Sequence, residues 1–287
     1  MILKFKREIL IFTVCGAITL GLVLSVIFNP TVLAFGDSNG HFSIIMYHHI
    51  TEDKSKIGDY VISKEQLESD FKYLKEKGYN TLSVRELCAI DRGEMKLPNK
   101  SIVITFDDGQ ESFYKYAFPL LKRYNFKAVL SIIGIYTEKY SEIENRNIAY
   151  SHITFDEINE MVSSGLVEIG NHSYNMHFSG GTNRMGVSKL KGESYENYSK
   201  AITEDIEKFN KVFYEKLGFN TKIYTYPFGK FSKETEKIIK QNGFVAAFTC
   251  YEGKIVPKSN EDWLYNLGRY NRFGKYTTYN FFKKVLG

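Results

Sequence analysis

The 287-residue chain has only 3 Cys, 5 Pro and 1 Trp, and it has no low-complexity tract. Three cysteines are too few for a disulfide scaffold, and the sequence leaves open whether Cys88 and Cys250 pair or remain free. A hydrophobic content of 43% excludes intrinsic disorder. The net charge of +5, with both signs interleaved, is not that of a nucleic-acid-binding protein. The composition therefore predicts a globular protein that binds no nucleic acid, and it leaves open whether the protein has protein partners.

One long apolar run lies near the N-terminus. Residues 9–28 carry no charge and follow three cations, Lys4, Lys6 and Arg7. About 20 apolar residues span a bilayer core, and cations on one side fit the positive-inside rule. The run predicts a transmembrane signal anchor within residues 1–35 or, alternatively, a signal peptide cleaved after Ala34. Both interpretations place residues 36–287 outside the cytoplasmic membrane, either anchored to it or secreted and associated with the cell wall.

From about Gly40 onward, short apolar runs alternate with amphipathic stretches. Ser63 starts one helix, with Gln66 completing a capping box, and Thr154 starts another that continues through Ser163. Further helices are predicted around residue 118 and at 195–217, 233–241 and 278–286, and strands at 41–47, 101–106, 128–133, 167–169, 223–226 and 245–249. This alternation predicts one α/β domain with parallel strands over residues 36–287. Periodicity alone does not decide whether the sheet closes into a barrel.

Polar residues collect where the predicted strands end. They are His48, His49, Asp107, Asp108, His172 and His177, and the turn 226–229 follows another strand. Functional side chains of parallel α/β domains gather at the carboxyl ends of strands. The sequence therefore predicts a functional site at this edge of the sheet.

The adjacent carboxylates Asp107 and Asp108 repel each other unless a cation or a shared proton relieves them. Taken alone, Asp-Asp-Gly is more typical of a turn, just as a lone histidine is usually a solvated loop residue. His172 and His177 favour another interpretation, because two histidines and one carboxylate form a common three-ligand site for a divalent metal. The second carboxylate is then free to act as a base, which suits metal-assisted hydrolysis.

Three motifs resemble those of one enzyme family. Residues 105–109 (TFDDG) resemble the first signature of the polysaccharide deacetylases (NodB-homology, or carbohydrate esterase family four, enzymes). Residues 172–177 (HSYNMH) are similar to their metal-binding histidine motif, and residues 224–229 (YTYPFG) resemble their third motif. The resemblance covers roughly residues 41–270. It implies a distorted (β/α) barrel of about seven parallel strands.

Departures from the common pattern narrow the resemblance. The two motif histidines are five positions apart instead of four, and no histidine follows His177 to form the late Leu-x-His motif. In exchange, Met46-Tyr47-His48-His49 lies at the first strand. This arrangement resembles the circularly permuted branch and, within it, the biofilm poly-β-1,6-N-acetylglucosamine deacetylases. The third motif lacks the family's arginine, with Tyr224 or Thr225 near its place.

The resemblance implies hydrolytic N-deacetylation of N-acetylglucosamine units in an extracellular polysaccharide. Asp108, His172 and His177 would hold a divalent metal, with zinc favoured over nickel, cobalt or manganese. Asp107 would be the base, His48 the acid that protonates the leaving amine, and the Phe228 N–H an oxyanion donor. His49 is the weaker acid candidate, because neighbouring strand residues point to opposite faces. Arg269 and Asp262 are the candidates for orienting Asp107, and a surface ion pair is the alternative for each.

The polymer itself is less well specified by sequence. The predicted substrate-binding residues are Tyr174, Tyr226, Trp263 and Arg269, together with Tyr114, although single aromatics are more often packing residues. The glycine-rich residues 178–194 are either a lid over a polymer groove or a tolerated insertion. Peptidoglycan is the main alternative polymer, followed by chitin-like oligomers. A catalytically silent wall-binding module is disfavoured because all five polar residues of the proposed chemistry are present, namely His48, Asp107, Asp108, His172 and His177. A phosphoester hydrolase is disfavoured because it would normally need more carboxylates to bind a second metal.

Overall fold

The computed structural model describes residues 40–181, 184–258 and 262–287. The predicted membrane-spanning run at residues 9–28, the alternative cleavage point after Ala34 and the domain boundary at residues 35–36 lie outside these described residues. Within the described ranges, no helix combines the length and apolar character needed to cross a membrane.

The strands of the described residues form one large sheet and one small one. They are β1 (Ser43–Tyr47), β2 (His49–Thr51), β3 (Val61–Ser63), β4 (Asn80–Thr81), β5 (Ser101–Phe106), β6 (Ala128–Ile132), β7 (Val167–Asn171), β8 (Ile223–Thr225), β9 (Ala246–Phe248) and β10 (Tyr270–Asn271). The large sheet has the order β10-β1-β5-β6-β7-β8-β9, with β4 paired to β5, and β2 and β3 form the small sheet. Every strand pair is parallel, as the strand–helix alternation predicts.

Helices connect most of these strands. The α-helices of the described residues are α1 (Lys64–Glu76), α2 (Val84–Asp91), α3 (Phe118–Tyr124), α4 (Gly134–Ser141), α5 (Phe155–Ser163), α6 (Tyr195–Leu217), α7 (Thr235–Gln241) and α8 (Thr278–Leu286). Short 3₁₀ turns occupy Lys54–Lys56, Pro227–Gly229 and Trp263–Tyr265, and a π-helical turn, Phe113–Ala117, precedes α3.

The predicted helix starts are confirmed by their caps. Ser63 and Gln66 form the capping box of α1, and Thr154 forms one at the start of α5. The strand pair β2–β3 and the helices α2 and α4 have no counterpart in the sequence prediction. The two strands have only three residues each, and α4 begins at Gly134 without a side-chain cap, so neither carries a strong local signal.

The register of the first strands sets the position of the site. Ser43 lies opposite Ile102 and Tyr47 opposite Phe106, so β1 and β5 end side by side. All residues of both strands are buried, because the strands are covered on both faces. The residues that follow Tyr47 and Phe106 therefore emerge together at one edge of the sheet.

The large sheet curves into an α/β half-barrel, where the sequence resemblance implies a distorted barrel. Leu267 forms a parallel bridge with Phe248 of β9, and Tyr270 pairs with Ile45 of β1. Residues 267–271, which include β10, therefore contact both β1 and β9, which lie at opposite sides of the large sheet. This segment carries Arg269, whose side chain is fully buried.

Candidate active site

The turn after β5 has an unusual backbone that aims its two carboxylates. Asp108 and Gly109 both have a φ of 69°, in the left-handed region that only glycine adopts without strain. A Cβ on Gly109 would lie 2.7 Å from Ile132 Cγ2 at the end of β6, so glycine is required sterically as well. The two consecutive left-handed residues turn the chain sharply at the mouth of the strand, where Asp107 is buried and Asp108 is partly exposed.

Asp108, His172 and His177 come together as the sequence predicts. Asp108 Oδ1 lies 3.6 Å from Nε2 of His172 and 3.3 Å from Nε2 of His177. Within the described residues, these three are the group whose ligand atoms all lie within 4.8 Å of one another. His172 Nδ1 donates to the Thr225 carbonyl at 2.8 Å, so the lone pair of Nε2 is free for a cation. Two imidazoles and one carboxylate are a donor set that fits zinc and related divalent metals.

Electrostatics support this assignment. Burial lowers the pKa of His172 to about 3 and also lowers that of His177, so both imidazoles are neutral at physiological pH. Burial raises the pKa of Asp108 to about 6, and the charge of Asp107 adds to this effect while His48 opposes it. Two neutral imidazoles beside two crowded carboxyls form a site whose unfavourable charge a bound cation would relieve.

The loop that carries both histidines is held by a buried acid from the longest helix. Asp205 of α6 accepts hydrogen bonds from the N–H groups of Tyr174 and Asn175 at 2.7 and 2.8 Å. Asp205 is not among the site residues predicted from the sequence. A signal was present, because Asp205 lies between Ile202, Ile206 and Phe209 on the buried stripe of the helix, where an acid needs a partner.

Arg269 is the residue that orients Asp107. Its Nη1 and Nη2 donate to the two Asp107 carboxylate oxygens at 2.7 and 2.8 Å, and its Nε donates to the Thr249 carbonyl. Burial raises the pKa of the Asp107 carboxyl, but the charge and hydrogen bonds of Arg269, together with the neighbouring His172 and His48, outweigh burial and hold this pKa well below its usual range. Asp107 is therefore ionised and fixed in orientation. Arg269 itself has no exposed surface for a substrate, and Asp262 forms a surface ion pair with Lys240.

Of the two neighbouring histidines, His48 faces the carboxylates. Its Nε2 lies 4.0 Å from Asp107 Oδ2, and its ring stands edge-on to Tyr60. His49 points away, with Nδ1 3.1 Å from the Ser112 hydroxyl, and burial lowers its pKa. This division matches the expected alternation of side chains along an extended chain.

Phe228 lies at the tip of the turn after β8, with a left-handed φ of 57°. Its ring contacts the His177 ring, with centroids 4.3 Å apart. The Phe228 N–H has no hydrogen-bond partner among the described residues, while the next two N–H groups bond back to Tyr226 and Pro227. The turn therefore leaves one backbone donor unused beside a candidate metal ligand.

The glycine-rich segment after His177 packs against this turn. The Val187 N–H donates to the Lys230 carbonyl at 3.1 Å, and Val187 is fully buried. A Cβ on Gly186 would collide with the Pro227 carbonyl oxygen. In its described residues the segment is thus fixed to the Phe228 turn, which favours neither a free lid nor a detached insertion.

Three predicted substrate-binding aromatics are engaged elsewhere. Tyr226 is fully buried and stacks on Phe231. Trp263 is 9% exposed, and its Nε1 donates to Asp91. Tyr114, which is partly exposed, donates to Glu160. The structure does not bring these side chains to the cluster, because their faces are used in packing or their hydroxyls in local hydrogen bonds.

The Tyr174 hydroxyl is engaged by α4, and Cys88 and Cys250 do not pair with each other. Tyr174 lies in the histidine loop, and its hydroxyl donates to Glu138 at 2.5 Å, turned toward α4. Burial, together with this hydrogen bond, raises the pKa of Tyr174 to about 12. Cys88 and Cys250 are both free thiols.

A further histidine, His152, was missed by the sequence analysis. Its Nδ1 bonds to the Asp108 carbonyl oxygen at 2.8 Å, and burial lowers its pKa to about 4. It lies in the connection between α4 and α5, away from any strand end, so nothing in the sequence distinguishes it from a solvated loop histidine. It borders a cavity of about 380 Å³ that opens beside the cluster.

Comparisons with known proteins agree with this geometry. Residues 94–247 match the family described as polysaccharide deacetylase. The chain is 30% identical over 209 residues to the Staphylococcus aureus (strain MRSA252) protein named poly-beta-1,6-N-acetyl-D-glucosamine N-deacetylase, a match that covers 73% of this chain and 68% of that protein. The Escherichia coli (strain K12) protein of the same name is 24% identical over 229 residues, covering 74% of this chain. This chain spans only about a third (34%) of the length of the E. coli protein.

A solved structure shares the fold. The de-N-acetylase from Aggregatibacter actinomycetemcomitans superposes with a TM-score of 0.71 at 26% sequence identity. The superposition covers 84% of this chain and 100% of that one.

Proposed function

Since the chain belongs to the polysaccharide deacetylase family, we propose that it hydrolyses the acetamide of N-acetylglucosamine units in an extracellular polysaccharide, releasing acetate and a free amine. The observation that carries the proposal is the placement of an arginine-held carboxylate, Asp107, next to the Asp108-His172-His177 cluster. The favoured polymer is poly-β-1,6-N-acetylglucosamine, the substrate in the names of the E. coli and S. aureus relatives.

Asp108, His172 and His177 would hold a divalent metal, with zinc favoured. When bound, such an ion lowers the pKa of a water ligand toward about 7 and polarises a carbonyl. The cluster suits this role because its two imidazoles are neutral and its third donor is a carboxylate.

The remaining steps fall to residues of the chain itself. Asp107 accepts the proton of the attacking water, and Arg269 keeps that carboxylate ionised and correctly oriented. The unused Phe228 N–H donates to the oxyanion that forms when the water oxygen adds to the acetamide carbon. His48 then donates a proton to the departing nitrogen as the carbon–nitrogen bond breaks, because an amine leaves poorly without one.

The apolar, cation-flanked run at residues 9–28 supports an extracellular location for this chemistry. In this proposal the run holds the chain at the cell membrane with the catalytic domain outside. If it is cleaved after Ala34, the domain is secreted and associates with the cell wall.

The test is acetate release from purified protein that has been stripped of metal and reloaded with zinc. Poly-β-1,6-N-acetylglucosamine and intact peptidoglycan are compared side by side, with and without chelator. Chelator-sensitive release from the first polymer is expected. Release from peptidoglycan alone would move the substrate to the cell wall, and release from neither polymer with zinc bound would refute the deacetylase proposal.

Two substitutions separate the roles of base and ligand. Asp107→Asn is expected to keep zinc but to lose turnover by about 10²–10⁴-fold, the range for general acid–base residues. His172→Ala is expected to lose zinc as well. The exposed residues Asp156 and His41 provide matched controls, as Asp156→Asn and His41→Ala, and both should behave as wild type. Near wild-type activity of Asp107→Asn would overturn the base assignment.

A further inference from the structure

The cavity beside His152 is not used by the chemistry proposed above. It has a volume of about 380 Å³, within the ~300–1,000 Å³ range of ligand pockets. We call it the tyrosine cavity, and its lining residues are Asp108, Gln110, Ile133, Tyr136, Tyr140, Tyr150, His152 and His177. Two of these residues belong to the candidate metal cluster. The tyrosine cavity is therefore continuous with the reacting centre.

Its walls are aromatic and partly exposed. Tyr136 is 41% exposed and Tyr150 is 61% exposed, although both are large and partly apolar side chains. The His152 ring packs against two tyrosines, with centroids 4.6 Å from Tyr136 and 5.5 Å from Tyr140, at interplanar angles of 30° and 26°. Aromatic side chains grouped in an exposed cavity beside an active centre are a feature of ligand-binding sites.

The cavity also offers a fixed polar group. His152 is only 7% exposed, and its Nδ1 must carry the proton because it bonds to a carbonyl oxygen, that of Asp108. Nε2 is then an acceptor, and it has no hydrogen-bond partner among the described residues. Its position is rigid, since the chain around it pairs with residues 109–111 through the Gln110–His152 bridge and the bonds Glu111 N–H to Ser151 O and Ile153 N–H to Gly109 O.

We propose that the tyrosine cavity binds a pyranose ring of the polysaccharide beside the acetamide at the cluster, with Tyr136 and Tyr150 against its C–H face. His152 Nε2 accepts a hydrogen bond from one of its hydroxyls. The inference rests on the proposed function and adds to it the part of the protein that recognises the polymer.

The chemistry of the ligand fits this cavity. All substituents of a β-linked glucosamine ring are equatorial, so each ring face presents C–H groups and the rim presents hydroxyls. The aromatic faces of the cavity match the C–H faces of the sugar, and the fixed acceptor His152 Nε2 matches a hydroxyl on its rim. A sugar held there lies next to Asp108 and His177, which keeps an acetamide of the same polymer at the reacting centre.

The experiment measures binding and turnover separately. Zinc-loaded full chain is titrated with a β-1,6-linked N-acetylglucosamine pentamer in an Asp107→Asn background, which removes the base but not the cavity. Tyr150→Ala and Tyr136→Ala are each expected to weaken pentamer binding about tenfold. In the chain with Asp107 restored, the same substitutions should raise KM by a similar factor with little change in kcat. Tyr150→Phe, which keeps the aromatic ring, should bind the pentamer with wild-type affinity.

Equally exposed tyrosines that do not line the tyrosine cavity serve as matched controls. Tyr214 of α6 and Tyr279 of α8 are 60% and 63% exposed, so Tyr214→Ala and Tyr279→Ala remove equally exposed rings and should not alter binding. Zinc content is measured for every variant to exclude damage to the cluster. Wild-type turnover with unchanged binding in Tyr150→Ala and Tyr136→Ala would overturn the subsite and leave the proposed function intact. Binding that depends on the tyrosines without turnover in wild type would support the subsite and refute the deacetylase proposal, and absence of both would refute both.

Discussion

Replacing Arg269 with methionine removes the guanidinium that holds Asp107 while keeping an unbranched side chain. Arg269 and Asp107 have side-chain exposures of 0% and 3%, and both carboxylate oxygens accept from the guanidinium. Breaking a buried ion pair by removing one partner costs about 3–5 kcal/mol, because the remaining charge is left without compensation. We expect Arg269→Met to lower the free energy of unfolding by about this amount.

A double-mutant cycle with Asp107→Asn shows whether the pair itself is responsible. Each single variant leaves one buried group unpaired, whereas the double variant leaves no unpaired charge, so its destabilisation should be well below the sum of the two. Urea denaturation is followed in the presence of chelator, because bound metal would stabilise the folded state separately.

The surface pair Arg92–Glu94 supplies the control. The Arg92 side chain is 55% exposed, and Arg92→Met should cost at most about 1 kcal/mol. Additive losses in the double variant, or a cost for Arg269→Met as small as that for Arg92→Met, would refute the reasoning. With zinc restored, Arg269→Met should also lose about 10²-fold in turnover, since a misplaced base costs about that much. Arg269→Lys should recover only part of it, because an ammonium cannot bond both oxygens in a fixed plane.

Three further predictions concern supporting positions. Asp205→Ala should weaken zinc binding about 10–100-fold, measured by competition with a chromophoric chelator, because the histidine loop loses its acceptor. Gly109→Ala should lower the free energy of unfolding by about 1–3 kcal/mol in urea, since its Cβ would meet Ile132 in a left-handed conformation. Burial raises the pKa of Glu86, but the hydrogen bonds and charge of Lys127 and the hydrogen bonds of Ser83 together lower it below the unfolded value of 4.5. The ionised Glu86 therefore stabilises the fold above pH 4.5, and this stabilisation is lost as pH falls through the lowered pKa. Glu86→Gln should therefore cost about 0.5–1 kcal/mol near neutral pH and less at about pH 3, measured by urea denaturation at both.

Part of the site could be predicted because the positions of some of its residues follow from chain order alone. Parallel strands end at one edge of a sheet, so the side chains that directly follow β1, β5 and β7 gather at that edge. His48, Asp107 and His172 all satisfy this condition. Motif similarity then assigns their chemistry without any knowledge of distances.

The partners of these residues depend on packing between distant segments. Arg269 reaches Asp107 only because residues 267–271 lie between β9 and β1, and no local pattern specifies that placement. Trp263 and Tyr226 are of residue types that often bind sugars. Tertiary packing nevertheless decides whether their rings are available, and both rings are buried. His152 becomes notable only through its bond to the Asp108 carbonyl.

The segment after His177 offers a last prediction, which concerns the Phe228 turn. Gly186 has a φ of 54°, and its missing Cβ would meet both the Pro227 carbonyl oxygen and, at 3.0 Å, the Lys230 carbonyl oxygen. Gly186→Ala must therefore displace the turn that presents the Phe228 N–H. Loss of one oxyanion donor costs about 10²–10³-fold in kcat. We expect a loss of kcat approaching this range, and zinc content is measured in the same samples because the Phe228 ring contacts the candidate ligand His177.

Gly192→Ala separates this effect from backbone strain. Gly192 has a φ of 78°, and no atom lies within 4 Å of its absent Cβ, so the substitution adds left-handed strain without crowding the turn. It should lower stability by about 1 kcal/mol and leave kcat near the wild-type value. If Gly186→Ala and Gly192→Ala reduce kcat equally, the segment does not position Phe228. A large loss of kcat in Gly186→Ala alone, at constant zinc content, would mean that the segment after His177 positions the Phe228 N–H.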